Sequence, residues 1–475
     1  MPLNSLDFII FFLITFLFYY LCSADCRKQN LIIALFSYIF YGLVDFKMVP
    51  LLLGATVVFY ALGELLKDLM VKGHTKAASC ITTLGIVLGV GLLLYFKYLN
   101  FFAESFAILL SRIGFNASWS TLRIILPAGI SFFTFKLVSY IIEVHRERIE
   151  PCKDFIQFGA YIAFFPTILS GPIDRPYTFL PQLSKVRTFS YDKATDGCRQ
   201  ILWGAFQKMI ADNVAIYVNA VWESGAISSL PELVLSACLY SFQLYFDFAG
   251  YSNMAIGFSK IIGIDVAKNF NYPYFARCLS EFWRRWHMSL TSWFTDYIYI
   301  PLGGNRKGKF RMTLNILIVF GLCGLWHGAN WTFVVWGLYC GITMCFASLN
   351  TKSKEKWKTA PILFNVENIF NILCVFIVVS IGWVLFRADS INQIITILKS
   401  IISNPVSMAI PLLPKRAIIL ILLAVVIEWL QRNKEHPLQF GAWGGKWLRP
   451  VVYYTIAILI LILGTQNETF IYAQF

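Results

Sequence analysis

The chain has 475 residues, of which 58% are hydrophobic, 17% aromatic and only 14% charged, where a soluble domain carries roughly a quarter charged residues. That composition excludes an ordinary soluble enzyme. Lys plus Arg exceed Asp plus Glu by 40 to 26, a formal charge of +14. The basic residues lie in short loops between apolar runs, which is the signature of cytoplasmic loops in a membrane protein and not of a nucleic-acid-binding surface.

In chain order, the first apolar run, 6–22, has no Lys or Arg before it and no small-residue cleavage site after it, so it reads as a retained span and not as a removable signal peptide. A spanning helix needs about 20 largely apolar residues. The runs 6–22, 31–45, 49–66, 78–96, 124–143, 201–222, 231–259, 312–326, 331–349, 366–386, 416–430 and 450–466 therefore predict eleven or twelve crossings. No polar or low-complexity linker interrupts them, so residues 1–475 read as a single membrane domain. With the N-terminus outside, 30 basic residues fall inside and 8 outside, leaving Lys136 and Lys208 within spans. That asymmetry supports the orientation. It holds only if two further apolar stretches, 155–172 and 279–302, enter and leave on the inner side as re-entrant or interfacial elements. Irregular backbone at membrane depth must be buried in protein or line an aqueous cavity, so these elements predict a cavity reached from the cytoplasm. No fixed-period repeat is evident, which disfavours an inverted-repeat transporter. Most of the 11 cysteines fall in apolar runs and none forms a CxxC pair. They read as reduced packing residues, without disulfides or zinc.

Of the five histidines, His74, His145 and His436 lie in loops or at span ends and read as solvated surface. His327 closes the run 312–326 and precedes Gly328-Ala-Asn330 and a second apolar run from Trp331, which places it in the turn of a helical hairpin. The first arm counts 15 residues, about 22 Å, short of a hydrocarbon core of about 30 Å. A turn recessed in the membrane follows. A neutral imidazole there can accept a proton from a hydroxyl nucleophile; the alternative is a hydrogen-bonded helix-end histidine between the interfacial Trp326 and Trp331. His287 lies in Glu281-Phe-Trp-Arg-Arg-Trp-His-Met-Ser-Leu-Thr-Ser-Trp-Phe294. A helix here puts Trp283, Trp286, His287, Leu290 and Phe294 on one face and Arg284 and Arg285 elsewhere; a Trp-rich interfacial anchor with a satisfied histidine fits the same spacing. Asp247 interrupts an apolar run and reads either as a ligand contact or as a helix–helix hydrogen bond. Ser170-Gly-Pro-Ile-Asp-Arg-Pro176 reads as a proline-broken turn. There is no Walker loop, no GxSxG and no HExxH.

Taken together, Leu126-Pro-Ala-Gly-Ile-Ser-Phe-Phe133, Ser170-Gly-Pro-Ile173, Asp247-Phe-Ala-Gly-Tyr-Ser252, Asn269-Phe-Asn-Tyr-Pro-Tyr274, Phe282-Trp-Arg-Arg-Trp-His287 and Gly324-Leu-Trp-His-Gly-Ala-Asn-Trp331 resemble the membrane-bound O-acyltransferase family, and within it the bacterial alginate O-acetylation branch. Each motif is weak alone; the set is specific, and the hydrophobic outline matches over nearly the whole chain. The resemblance implies an all-α polytopic membrane fold around a central tunnel, with residues 126–331 as the motif-bearing core. His327 matches the family's catalytic histidine and His287 its second, more cytoplasmic one. Asp247, Asn271, Trp286, Trp326 and Asn330 become substrate or tunnel candidates. The last residues, Phe470-Ile-Tyr-Ala-Gln-Phe475, resemble the C-terminal aromatic motif of the polymer-acylating systems, in which the tyrosine, here Tyr472, is thought to relay the acyl group; Ala473 stands where an aromatic is common.

The resemblance further implies acetyl transfer in a bacterial inner membrane from cytoplasmic acetyl-CoA, with no bound cofactor or metal. The acceptor would be an extracytoplasmic polysaccharide, alginate-like or peptidoglycan, and a separate extracytoplasmic acyltransferase with a nucleophilic serine would complete the transfer. Two rivals remain. One is D-alanyl transfer to teichoic acid, against which the fused tail 467–475 argues. The other is a secondary transporter of polymer precursors using Lys136, Glu143 and Asp247.

Overall fold

The computed structural model describes residues 1–22, 24–115, 124–223, 229–349, 365–403, 413–440 and 447–465. Among them the regular structure is helical throughout, and the chain divides into two compact units.

The first unit comprises residues 1–198 with 255–267. It holds α1 (Leu6–Leu21), α2 (Cys26–Asp45), α3 (Val49–Val71), α4 (Thr75–Leu93), α5 (Leu99–Arg112), α6 (Ile130–His145), α7 (Phe155–Ala163) and α8 (Pro176–Leu183). It also takes the start of α9 (Tyr191–Glu223) and the end of α10 (Leu230–Ile261). Caps set several starts: Ser5 accepts from the Phe8 amide, Asp25 from those of Arg27 and Lys28, and Asp154 from that of Ile156. A 3-10 turn, Phe46–Met48, joins α2 to α3, and a π turn, Leu94–Tyr98, joins α4 to α5. Helix α5 was not expected, because Asn100, Glu104 and Ser105 dilute its apolar pattern. The core is a phenylalanine cluster in which Phe8, Phe11 and Phe165 meet Phe40 at 5.7–6.2 Å between ring centroids. Small residues let α6 approach its neighbours: a Cβ on Gly89 would lie 2.4 Å from Val138 Cγ2. Gly129, at φ +69°, brings the first motif against the backbone carbonyl of Ile168, just ahead of the Ser170 motif.

The second unit comprises residues 199–254 and 268–475. Beyond its share of α9 and α10 it holds α11 (Leu279–Trp283), α12 (Met288–Phe294), α13 (Gly308–His327), α14 (Trp331–Leu349), α15 (Val366–Arg387), α16 (Ile391–Ser403), α17 (Lys415–Leu430) and α18 (Leu448–Leu463). Reciprocal glycines bring α9 and α10 into backbone contact: a Cβ on Gly204 would meet the Gly250 carbonyl oxygen at 2.6 Å, and the converse distance is 2.7 Å. One turn along, the buried Lys208 bridges Asp212 at 2.6 Å and Asp247 at 2.9 Å.

Six helical stretches among the described residues are long and apolar enough to cross a membrane: Cys26–Val71, Thr75–Arg112, Leu230–Ile261, Gly308–His327, Trp331–Ser348 and Val366–Arg387. Leu6–Leu21, Ile391–Ser403 and Leu448–Leu463 are shorter apolar helices. Their outward leucines, isoleucines and phenylalanines are exposed, as lipid-facing side chains are, and the chain is a multi-pass all-α membrane protein. One expectation is corrected. Helix α13 has 20 residues, about 30 Å at 1.5 Å per residue, because its first turn carries Lys309 and Arg311, which the apolar count left out. Its length alone therefore gives no reason for the turn at His327 to be recessed.

Candidate active site

The α13–α14 hairpin is tight because glycines face one another across it. A Cβ on Gly324 would meet the Phe333 carbonyl oxygen at 2.2 Å, and one on Gly337 the Phe320 carbonyl oxygen at 2.4 Å. His327 ends α13 and is 4% exposed. Asn330 closes the turn: its Oδ1 accepts from the Thr332 amide at 3.1 Å and its Nδ2 donates to the Asp389 carbonyl at 2.8 Å. Three rings enclose the His327 imidazole, with centroids at 5.0 Å (Trp326), 5.1 Å (Trp336) and 5.4 Å (Phe386).

His287 arrives differently from the expected continuous helix. The chain breaks between α11 and α12, and His287 takes a left-handed conformation, φ 42° and ψ 53°, at the N-cap of α12. The break is held from outside. The Met288 amide donates to the Asn269 carbonyl at 2.8 Å, and the Asn271 amide to the Arg285 carbonyl at 3.0 Å. Ser289 Oγ donates to Asn269 Oδ1 at 2.6 Å, and Asn269 Nδ2 to Ser252 Oγ at 3.0 Å. Glu281 accepts from the Arg277 amide at 2.8 Å and Arg277 Nε at 3.2 Å, and from Arg285 Nη2 at 2.8 Å; burial raises the Glu281 carboxyl, but the Arg277 hydrogen bonds and the two guanidinium charges bring it below the usual range. The 247–252, 269–274 and 282–287 motifs are thus one hydrogen-bonded assembly. Within it His287 is 2% exposed. It lies in a connector outside the spanning helices, where burial pulls its pKa down to about 3 and leaves a neutral imidazole.

The two imidazoles stand 6.4 Å apart between centroids, with Trp326 against both. Both line one cavity of about 300 Å³. Trp283, Trp286, Leu290 and Phe294 line it as well, so the face expected of a continuous helix converges there despite the break. Phe320, Cys323 and Trp336 complete the apolar wall, and Arg284 and Asn305 are its exposed polar members. Imidazoles in an apolar chamber, His287 among them held neutral by burial, can remove a proton from a hydroxyl while the walls exclude competing water.

The other expected residues divide. Trp286 lines the cavity, and Trp326 backs both histidines without lining it. Asp247 is bound to Lys208, Asn271 contributes its backbone to the α11–α12 latch, and Asn330 caps the hairpin. Tyr472 and the tail fall outside the described residues. Sequence reasoning missed Trp336, Cys323 and Arg284; Cys323 sits four residues before His327, one helical turn, and that spacing was available. It also missed Glu428 on α17, buried and bonded by Gln207 at 2.9 Å and Tyr245 at 3.0 Å.

These features define a polytopic helical membrane protein with a buried histidine pair in an apolar chamber. The family model described as MBOAT, membrane-bound O-acyltransferase family, matches residues 152–384. The Probable alginate O-acetylase of Azotobacter vinelandii is 36% identical over 82% of this chain and 76% of its own length. The Peptidoglycan O-acetyltransferase of Helicobacter pylori is 31% identical over 85% and 80% respectively. The Teichoic acid D-alanyltransferase of Bacillus subtilis is 33% identical over 49% and 62%. The chain belongs to the membrane-bound O-acyltransferase family, as the six motifs implied, and is an O-acyltransferase.

Proposed function

We propose that the protein O-acetylates an extracytoplasmic polysaccharide, drawing acetyl from cytoplasmic acetyl-CoA across a bacterial inner membrane. The observation that carries this reading is the pair of buried histidines in one apolar cavity. His327 takes the proton of the attacking hydroxyl as its oxygen bonds the thioester carbonyl carbon; the carbon–sulfur bond breaks and the proton passes to the departing thiolate. His287, 6.4 Å away, orients the donor. Relatives named for alginate and peptidoglycan acetylation match over most of the chain, whereas the likeness to the teichoic acid relative spans 49% of it. The transporter reading is weakened because Lys136, Glu143 and Asp247 each have local partners: Thr167 at 3.1 Å, Arg146 at 3.3 Å and Lys208 at 2.9 Å. Beyond the membrane, Tyr472 receives the acetyl group and a separate serine acyltransferase delivers it to the polymer.

The test is His327→Ala in cells and in purified form. Loss of a general base costs about 10² to 10⁴ in rate, so polymer acetylation should fall below detection while the protein remains folded in the membrane. Parental acetylation in that variant would remove His327 from the chemistry.

A further inference from the structure

Glu428 is 3% exposed on α17, where the residues on either side of it are apolar. It lies beyond residues 152–384, which carry the family match. An ionisable group in such a place is costly to bury and is a candidate for function by default. Its partners lead to the histidine cavity. Gln207 Nε2 donates to Oε1 at 2.9 Å, and the Tyr245 hydroxyl lies between the two carboxylate oxygens, at 3.1 and 3.0 Å. The Gln207 amide is itself fixed, because its Oε1 accepts from Asn253 at 2.8 Å and Asn253 Oδ1 accepts from Gln200 at 3.0 Å. One carboxylate thus ties α17 to α9 and α10.

The Tyr245 ring forms the layer behind the cavity wall. Its centroid is 6.3 Å from that of Trp286, which lines the cavity, and 5.7 Å from that of Phe270. Phe270 lies 5.1 Å from both Trp286 and Phe248, and Phe248 lies 4.7 Å from His287. Whatever holds Tyr245 therefore supports Trp286 and His287 together. A buried phenol needs an acceptor, yet phenylalanine would fill the same space with no acid at all. The acid–phenol bond is thus not required for packing; it fixes where the ring stands.

We infer that Glu428 is a positioning residue of the acyl-transfer site: held by Gln207, it sets Tyr245, and through that ring it sets Trp286 and His287 against the reacting acyl group. The inference rests on the proposed reading of this cavity as the transfer chamber. The test therefore includes an arm that needs no donor. Cys323 lines the same cavity, whereas Cys152 is buried in the other unit, so the two thiols separate a loosened wall from a loosened fold.

Full-length protein in nanodiscs is labelled with N-ethylmaleimide, and peptide mass spectrometry follows each cysteine. In Tyr245→Phe and in Glu428→Ala, Cys323 should label about three- to tenfold faster than in the parent while Cys152 keeps its parental rate, as a local opening requires. In the same variants kcat/KM for acetyl transfer should fall about tenfold, with KM rising as well as kcat falling, because a misplaced wall costs binding and alignment together. A smaller folded fraction would lower kcat alone. Glu428→Gln keeps an acceptor for Tyr245 and should stay within about threefold of the parent, and adding it to Tyr245→Phe should cost nothing more, since both act through one bond. Parental Cys323 labelling in Tyr245→Phe overturns the inference. So does acceleration of Cys152 in step with Cys323, which makes the acid a support of the fold only, and so does a Glu428→Gln as impaired as Glu428→Ala, which makes the charge and not the bond decisive. A parent that transfers no acetyl from acetyl-CoA counts against the proposed reaction, while the labelling arm still decides the role of Glu428.

Discussion

His287 shows how one residue joins backbone and chemistry. Its left-handed conformation, φ 42°, costs most side chains about 1–2 kcal/mol, and asparagine less. A continuing helix would direct the Met288 amide to the Arg284 carbonyl; the Asn269 carbonyl takes it instead, at 2.8 Å. That partner is nearly twenty residues away, so no local spacing could announce the break. What the spacing did announce, the common surface of Trp283, Trp286, His287, Leu290 and Phe294, survives because all five reach the same cavity. The consequence is a way to separate shape from function. His287→Asn tolerates the backbone and removes the imidazole, so its melting temperature should match the parent while kcat/KM for acetyl transfer falls at least tenfold. Equal kinetics would make the histidine an anchor only. Because burial holds this imidazole near pKa 3, it stays neutral across pH 5–9 and should contribute no inflection to the rate profile in that window.

At the scale of elements, apolar runs located most helices because membrane helices are written in uninterrupted hydrophobicity. Where polar residues dilute the run, as in α5, or prolines open and interrupt a short helix, as in α8, the signal is lost, whereas 155–172 and 279–302 were legible as apolar stretches but not as the separate short helices α7, α11 and α12. The hairpin that presents His327 depends on a feature no hydropathy measure sees. Gly324 lies 3.2 Å, measured from an added Cβ, from the Gly337 Cα, and the nearest atom to that Cβ is a carbonyl oxygen at 2.2 Å. Backbone cannot move aside as a flexible side chain can, so Gly324→Ala forces α13 and α14 apart. Overpacking of this kind costs about 1–3 kcal/mol. The variant should melt earlier in detergent and lose activity, since His327 follows three residues later. Gly54→Ala on α3 is the control: nothing lies within 4 Å of its added Cβ, and it should be neutral or slightly stabilising. If Gly324→Ala melts with the control, the two helices are not held by this contact.

At the scale of the whole molecule, the proposed reaction takes the acyl group from one side of the membrane to the other, and the charge asymmetry of 30 to 8 basic residues favours the N-terminus-outside orientation. That orientation predicts that α18 runs from inside to outside, which in the proposed reaction is away from the side of the donor. The motifs made the histidines legible because family chemistry concentrates unusual residues, Trp and His, at close spacing; the tail was legible only as an aromatic cluster, and residues 466–475 lie outside the described part of the chain. Tyr472 therefore rests on chemistry. A phenol with pKa near 10 is a poor nucleophile at neutral pH unless a base takes its proton, the role proposed for His327. The aryl acetate so formed is itself activated, which suits a group that must be handed on to a serine. Tyr472→Phe keeps the ring and removes only the acceptor oxygen. It should fold as the parent and bind CoA equally, yet fail in polymer acetylation. Mass spectrometry of the parent incubated with acetyl-CoA, without its partner, should find acetyl on Tyr472, and His327→Ala should abolish that label. Full polymer acetylation by Tyr472→Phe would instead make the tail a docking element, with acetyl passing directly from CoA to the partner.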